Sequence, residues 1–293
     1  MKNFILYIIP AFIWGSTWLA ITFQLGIVDP LVSVFYRFLL AAIILFVYCS
    51  AIKMNLKYNA KQHLFMALQG VFLFGINYWL VYLAEVHLKS GLVAVIYSTI
   101  IFMNIFNSVI FLKSKIRMDV VISALIGFVG IILVFKDHIF DFNFSGEEST
   151  ALILSFLSVI TASIGNILSA YNQKNKLPVV QTNAFGMFYG ALLMLLLVFI
   201  TNTPFSFDAS FGYIGSLIYL AVFGSIIAFY SYLTLLGKIG ADRAAYVTLV
   251  FPIIALLLST FFEDYTWSLF ALLGVALITT GNLLMLKKAH EAH

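Results

Sequence analysis

Arg37 is the one strongly charged side chain set well inside a long apolar run, residues 31 to 52. A charge at that depth is costly without a partner or water, so it serves either as a snorkelling or ion-paired element of the fold or as a contact for a substrate or coupling ion. Glu85, at the end of another apolar run, is placed to approach it and is the coupling or gating candidate. Tyr78, Tyr82 and Glu85 recur at i, i+4 and i+7, which puts them on one helical face with Asn77 beside it. Trp14 and Trp18 also stand four apart, and the run after Glu85 carries Tyr97, Asn104 and Asn107. Clustered rings of this kind can cage a cation or hold a flat apolar group. Their competing use is as interfacial anchors at helix ends. Asn104, Asn107, Asn166 and Asn183 need hydrogen-bond partners, which either a neighbouring helix or a bound molecule can supply.

Enzyme signatures are missing. The sequence has neither a P-loop nor an HExxH pattern, and its five histidines, His63, His87, His138, His290 and His293, fall in loops, helix ends or the tail. A single cysteine, Cys49, excludes a disulfide framework or a multi-cysteine metal site within one chain. No catalytic group, metal or cofactor is expected, and an ATP-driven pump would need its nucleotide-binding domain from another chain.

The elements that must position these side chains follow from composition. Of 293 residues, 63% are hydrophobic and 10% are Asp, Glu, Lys or Arg, against roughly 25% charged in a soluble domain. One core cannot hide that much apolar surface, so lipid must cover the surplus. The net charge of +4 does not point to nucleic acid, because the basic residues sit in short groups between apolar runs rather than along one face.

Ten runs approach the length that a helix needs to span a bilayer. They cover residues 4–23, 31–52, 64–84, 91–112, 119–135, 151–171, 180–200, 212–236, 244–262 and 267–286. With the N-terminus inside, thirteen of the sixteen Lys and Arg fall in inner segments and only Lys89 and Lys136 in outer loops. That asymmetry predicts cytoplasmic N- and C-termini. Signals also recur half a chain apart: Pro30 with Pro178, Phe74-Gly75 with Phe223-Gly224, Gly91 with Gly240, and Leu125-Ile126-Gly127 with Leu272-Leu273-Gly274. Five spans per half is odd, so the second half enters the membrane inverted. The expected fold is all-α and integral to the membrane, with residues 1–142 and 143–293 as two inverted five-helix repeats. Such repeats characterise secondary transporters whose substrate sits between the halves.

Small-residue spacings indicate where helices approach closely. Ser155, Ser158, Ala162, Gly165 and Ser169 form a stripe on the sixth span. Gly127 with Gly130, and Gly274 with Gly281, point to close packing of the fifth and tenth spans, either within one chain or between two copies in a homodimer. Pro252 removes a backbone bond inside the ninth span and would make a hinge.

The residues also resemble a known family, the EamA-type transporters of the drug/metabolite transporter superfamily. The marks are Trp14-Gly15-Ser16-Thr17-Trp18, Pro30 followed by Tyr36-Arg37-Phe38 and Ala41-Ala42, Gly127 to Phe135, Gly240 to Ala245, Pro252, Phe262-Glu263-Asp264-Tyr265, and Gly274 to Gly281. The sequence departs from the pattern at Ile101, where the family often has a proline in the fourth helix. The resemblance implies a central cavity lined mainly by helices 1, 3, 4, 6, 8 and 9 and worked by alternating access. It makes Asn77, Asn104 and Asn166 the better substrate candidates, beside Trp14, Trp18, Arg37, Tyr78, Tyr82, Tyr97, Tyr230 and Tyr246. The expected function is a secondary transporter in a bacterial-type inner membrane, exporting amino acids or related metabolites. Its expected partners are a small-molecule substrate and membrane lipids. Uptake of an organic cation such as a quaternary amine is the alternative, and a lipid flippase or membrane-embedded lipid enzyme is the rival from another class.

Overall fold

The computed structural model describes residues 2–113, 118–134, 136 and 146–290. Ten helical spans follow one another: α1 (Lys2–Thr22), α2 (Pro30–Ala51), α3 (Ala60–Glu85), α4 (Ser90–Leu112), α5 (Met118–Val134), α6 (Glu147–Lys174), α7 (Val179–Ile200), α8 (Phe211–Ile239), α9 (Phe251–Phe262) and α10 (Leu269–His290). Seven are long and apolar enough to cross a membrane, and α5, α9 and α10 contribute shorter apolar stretches. The expected boundary between the halves, residues 142 and 143, lies outside the described residues.

Local chemistry sets the helix starts. Pro30 opens α2 at a position where its missing N–H costs nothing, and the Asp29 side chain accepts from Leu31 N at 2.8 Å. Asn59 and Gln62 form a reciprocal capping box that starts α3 earlier than hydropathy predicts. Ser210 caps α8 through Tyr213 N.

Four spans depart from regular α geometry. α3 passes through a π-helical stretch at Gly70–Ile76, and α8 does the same at Leu220–Ile227. α4 breaks at Ser98 and Thr99, whose hydroxyls donate back to the carbonyls of Val95 and Ile96 at 2.6 and 2.7 Å. Back-bonding of this kind bends helices, so α4 is interrupted without the proline that Ile101 replaces. The ninth span, expected to be continuous over 244–262, instead begins with a short helix at Ala241–Ala244 and a 3-10 turn at Ala245–Leu249 before α9 proper. Pro252 therefore sits in the first turn of α9 rather than inside a helix, and the change of geometry lies just ahead of it.

Helix contacts exchange under a twofold operation that relates the halves. α1 packs on α8 as α6 packs on α3, and α1 meets α9 as α6 meets α4. The pairs α2–α7, α4–α9 and α5–α10 map onto themselves. Glycines set the closest approaches: a Cβ on Gly165 of α6 would stand 2.5 Å from Leu73 Cβ, and one on Gly130 of α5 would stand 2.6 Å from the Gly274 carbonyl oxygen of α10. The small-residue stripe thus faces α3, and the fifth and tenth spans pack within one chain. Outward faces carry large apolar residues, among them Phe12, Val47, Phe106 and Phe199, with Phe211 95% exposed. A lipid solvent accounts for this surface.

Candidate functional site

A narrow central cavity lies between the two halves of the chain. Its wall takes Trp14, Thr17 and Trp18 from α1, Leu73, Tyr78 and Val81 from α3, and Tyr97 and Ile100 from α4. The other half supplies Asn166 from α6, Phe229 and Tyr232 from α8, Thr248 from the 3-10 turn, and Phe251 from α9. These are the six helices that the resemblance led us to expect. All four irregular stretches lie in them, and non-helical backbone at membrane depth is tolerated where it faces a cavity or is buried in protein.

The wall is mostly rings in edge contact. Trp14 meets Phe229 and Tyr232 at 5.0 and 5.1 Å between centroids, and Trp18 meets Tyr97 at 5.2 Å and Phe251 at 5.5 Å. The polar groups behind these rings are tied to one another. Asn77 Nδ2 donates to the Tyr97 hydroxyl at 3.1 Å, and that hydroxyl donates to Asn77 Oδ1 at 3.3 Å. Asn104 Nδ2 donates to the Ala241 carbonyl, which leaves its Oδ1 to accept from Asn166 Nδ2 at 3.4 Å. Asn166 Nδ2 also donates to the Tyr232 hydroxyl at 3.1 Å. Two buried polar atoms of the wall lack a partner: the donor Trp18 Nε1 and the acceptor Asn166 Oδ1. A bound molecule that is acceptor on one side and donor on another would satisfy both.

The π-helical stretch of α8 turns polar backbone toward α1 and α2. Trp14 Nε1 donates to the Gly224 carbonyl at 3.1 Å, and the Ser225 hydroxyl donates to the Leu220 carbonyl five residues back. Ser225 Oγ also accepts from Arg37 Nε at 3.0 Å. Arg37 is 0% exposed and lies with its guanidinium carbon 4.3 Å from the centre of the Tyr78 ring, immediately behind the wall. Tyr82 stands beside it, its hydroxyl 3.5 Å from Nη1.

Of the expected site residues, Trp14, Trp18, Tyr78, Tyr97 and Asn166 line the cavity, and Asn77, Asn104, Arg37 and Tyr82 form its backing layer. Glu85 is buried away from the wall, with both carboxyl oxygens unpartnered, and makes no ion pair with Arg37. Tyr230 is a correction: it is 45% exposed and does not line the cavity. Two residues turn a helix by about 200°, so Tyr230 faces away because Tyr232 faces in. The Tyr246 side chain lies outside the described residues. Asn107 bonds across to Ser163 of α6, the interhelical use of a buried amide, while neither polar atom of the Asn183 side chain finds a partner. Sequence reasoning missed Tyr232, Phe229 and Phe251. The signal for the first two was the i, i+3 spacing that they share on one buried face.

Comparison with known proteins extends along the whole chain. The profile of the EamA-like transporter family matches residues 1–136 and 149–287. The chain is 26% identical to Protein PagO of Salmonella typhimurium, over 96% of this chain and 92% of that one. It is 28% identical to an uncharacterized inner membrane transporter, YedA, of Escherichia coli, over 96% and 88% of the two chains. A crystal structure at 16% sequence identity superposes with a TM-score of 0.75, covering 99% of this chain and 98% of the other.

Proposed function

The chain belongs to the EamA-like transporter family, and from that membership we propose that it is a secondary transporter that carries a small, flat metabolite through the central cavity by alternating access. It is a multi-pass membrane transporter rather than an enzyme. The observation that carries the finer reading is the cavity itself. Three helices from each half line it in twofold correspondence, and the breaks in α4 and α9 flank it at Tyr97, Ile100, Thr248 and Phe251. Two halves that close around one site are what rocking between openings requires.

The substrate class follows from the wall. Aromatic faces and a few polar atoms suit amino-acid-related metabolites with a planar body, with export from a bacterial-type inner membrane as the direction. An organic cation is less well served, since among the described residues no carboxylate lines the cavity, and the Arg37 guanidinium stands behind Tyr78. A lipid-handling role would draw on the lateral crevice among α4, α5 and α6, but among the described residues Thr99 is the one polar residue in its lining. A headgroup would meet almost nothing there.

Counterflow in proteoliposomes tests this reading. Vesicles holding the purified chain and loaded with unlabelled aromatic amino acids or their derivatives should accumulate the labelled compound, while labelled choline stays out. Accumulation of choline alone would overturn the substrate class, and absence of counterflow by any small metabolite would overturn the function.

A further inference from the structure

Arg37 is completely buried in α2, yet no carboxylate pairs with it: among the described residues the one ion pair is His87 with Glu147 at 3.1 Å. Ser225 takes its Nε and Tyr82 lies 3.5 Å from Nη1, but Nη2 has no hydrogen-bond partner. Glu85, one turn beyond Tyr82 in α3, does not answer it, since both of its own carboxyl oxygens are unpartnered. A cation at membrane depth without a counter-charge is disfavoured, and intramembrane charges that persist mark substrate or ion pathways.

The unpartnered Nη2 lies close behind the cavity wall. A Cβ built on Gly224 would stand 3.3 Å from Nη2 and 2.8 Å from Thr17 Cγ2. Thr17 lines the cavity, as does Trp14, which holds the Gly224 carbonyl. Gly224 and Thr17, closely packed at this point, thus stand between Nη2 and the cavity. Tyr78 joins the two regions as well, because its ring lines the cavity and also meets the guanidinium at 4.3 Å. A second buried donor of the wall, Trp18 Nε1, is likewise unpartnered.

We infer that Arg37 anchors an anionic group, a carboxylate, on a substrate whose flat body occupies the aromatic cavity, so that this transporter moves aromatic or similarly planar acids. The inference rests on the central cavity being the transport site and adds the sign of the substrate's charge. A carboxylate offers lone pairs to both N–H groups of Nη2, and it brings a counter-charge into contact, which Glu85, near enough to interact but not bonded to Arg37, does not. Approach to Nη2 requires the Thr17 methyl to shift, and a side chain at Gly224 would add to the obstruction.

Three ligands that share a ring and differ in head group provide the test: 3-phenylpropionate, 3-phenylpropionamide and 2-phenethylamine, titrated calorimetrically into the purified full chain in nanodiscs. The acid should bind roughly 10- to 100-fold more tightly than the amide, the range for a hydrogen bond to a charged group, and the amine most weakly. Arg37→Gln should abolish the preference for the acid over the amide, and Arg37→Lys should restore part of it. Equal binding of acid and amide by the native protein overturns the anion anchor and leaves the cavity standing as a transport site. So does preference for the amine, or an acid preference that survives Arg37→Gln. Binding of none of the three also overturns it, and the counterflow panel then decides separately on the transport reading. The native ligand series needs no variant, so misfolding of Arg37→Gln would not rescue the idea.

Discussion

Glu263, just beyond α9, accepts from both the hydroxyl of Ser90, at 2.6 Å, and the Ser90 backbone N–H, at 3.1 Å. The start of α4 is thus capped from the helix that it pairs with across the twofold, while Lys89, the residue in the cap position, offers no side-chain cap bond and donates instead to the Asp264 carbonyl at 2.8 Å. Ser259 completes the joint by accepting from Gly91 N at 2.9 Å and donating to Glu263. A carboxylate suits a helix N-terminus, where unpaired N–H groups concentrate positive charge.

Glu263→Ala should therefore lower the unfolding free energy by about 1 to 2 kcal/mol, and Glu263→Gln by less. Thermal unfolding in detergent measures this. Amide exchange at Ser90 and Gly91 should accelerate in the same variant. An unchanged midpoint in Glu263→Ala would mean that the joint contributes nothing to stability.

The glycines of α5 separate packing from propensity. A Cβ at Gly130 would press on the Gly274 carbonyl oxygen at 2.6 Å, whereas one at Gly127 meets nothing within 4 Å. Gly130→Val should cost about 2 to 3 kcal/mol through forced separation of the helices, and Gly127→Ala should be neutral or stabilising by up to about 1 kcal/mol. The contrast is read from paired thermal melts, and similar losses in both variants would refute it.

The two indoles of α1 have different duties. Trp14 Nε1 is bonded to Gly224 and Trp18 Nε1 is not. Trp14→Phe should reduce stability by roughly 1 kcal/mol. Trp18→Phe should leave the melting temperature nearly unchanged and weaken ligand binding about tenfold, the loss of a single hydrogen bond in a dry site. Calorimetric titration with a transported compound checks the second half.

Tyr232→Phe should weaken ligand binding by about three- to tenfold, because it removes the hydroxyl that holds Asn166 in place. Tyr230→Phe should leave binding and counterflow as they are, since that ring faces outward. A loss in Tyr230→Phe equal to that in Tyr232→Phe would contradict the assignment of faces.

Orientation in the membrane follows from the lysines and arginines. In a Cys49→Ser background, single cysteines at Lys57 and Asn175 should resist an impermeant maleimide added to intact cells, and one at Asn202 should react. Labelling at Asn175 but not Asn202 would invert the topology.

Length and apolarity sufficed to count the spans, because bilayer thickness imposes a nearly fixed run of residues whatever the packing. The repeat was legible because two glycines with different duties keep their spacing in both halves, Gly91 where α4 packs on α9 and Gly240 where a positive φ closes α8. The site was legible only in part. Trp14, Trp18, Tyr78 and Tyr97 could be selected because aromatic spacing reports a face, and they do share one wall. Tyr230 could not be told from Tyr232 without knowing which side of α8 is buried. The π-helical stretch at Leu220–Ile227 inserts an extra residue per turn and so resets the face of everything after it. The joint between Glu263 and Ser90 was equally hidden, since it joins positions 173 residues apart that no local pattern connects.

The widened turns of α3 and α8 begin at Gly70 and Leu220, in corresponding places of the two repeats. Each precedes a ring of the cavity wall, Tyr78 in α3 and Phe229 in α8. One residue more or less in either widened stretch would swing that ring out of the wall, so the register of these turns decides which side chains a substrate meets.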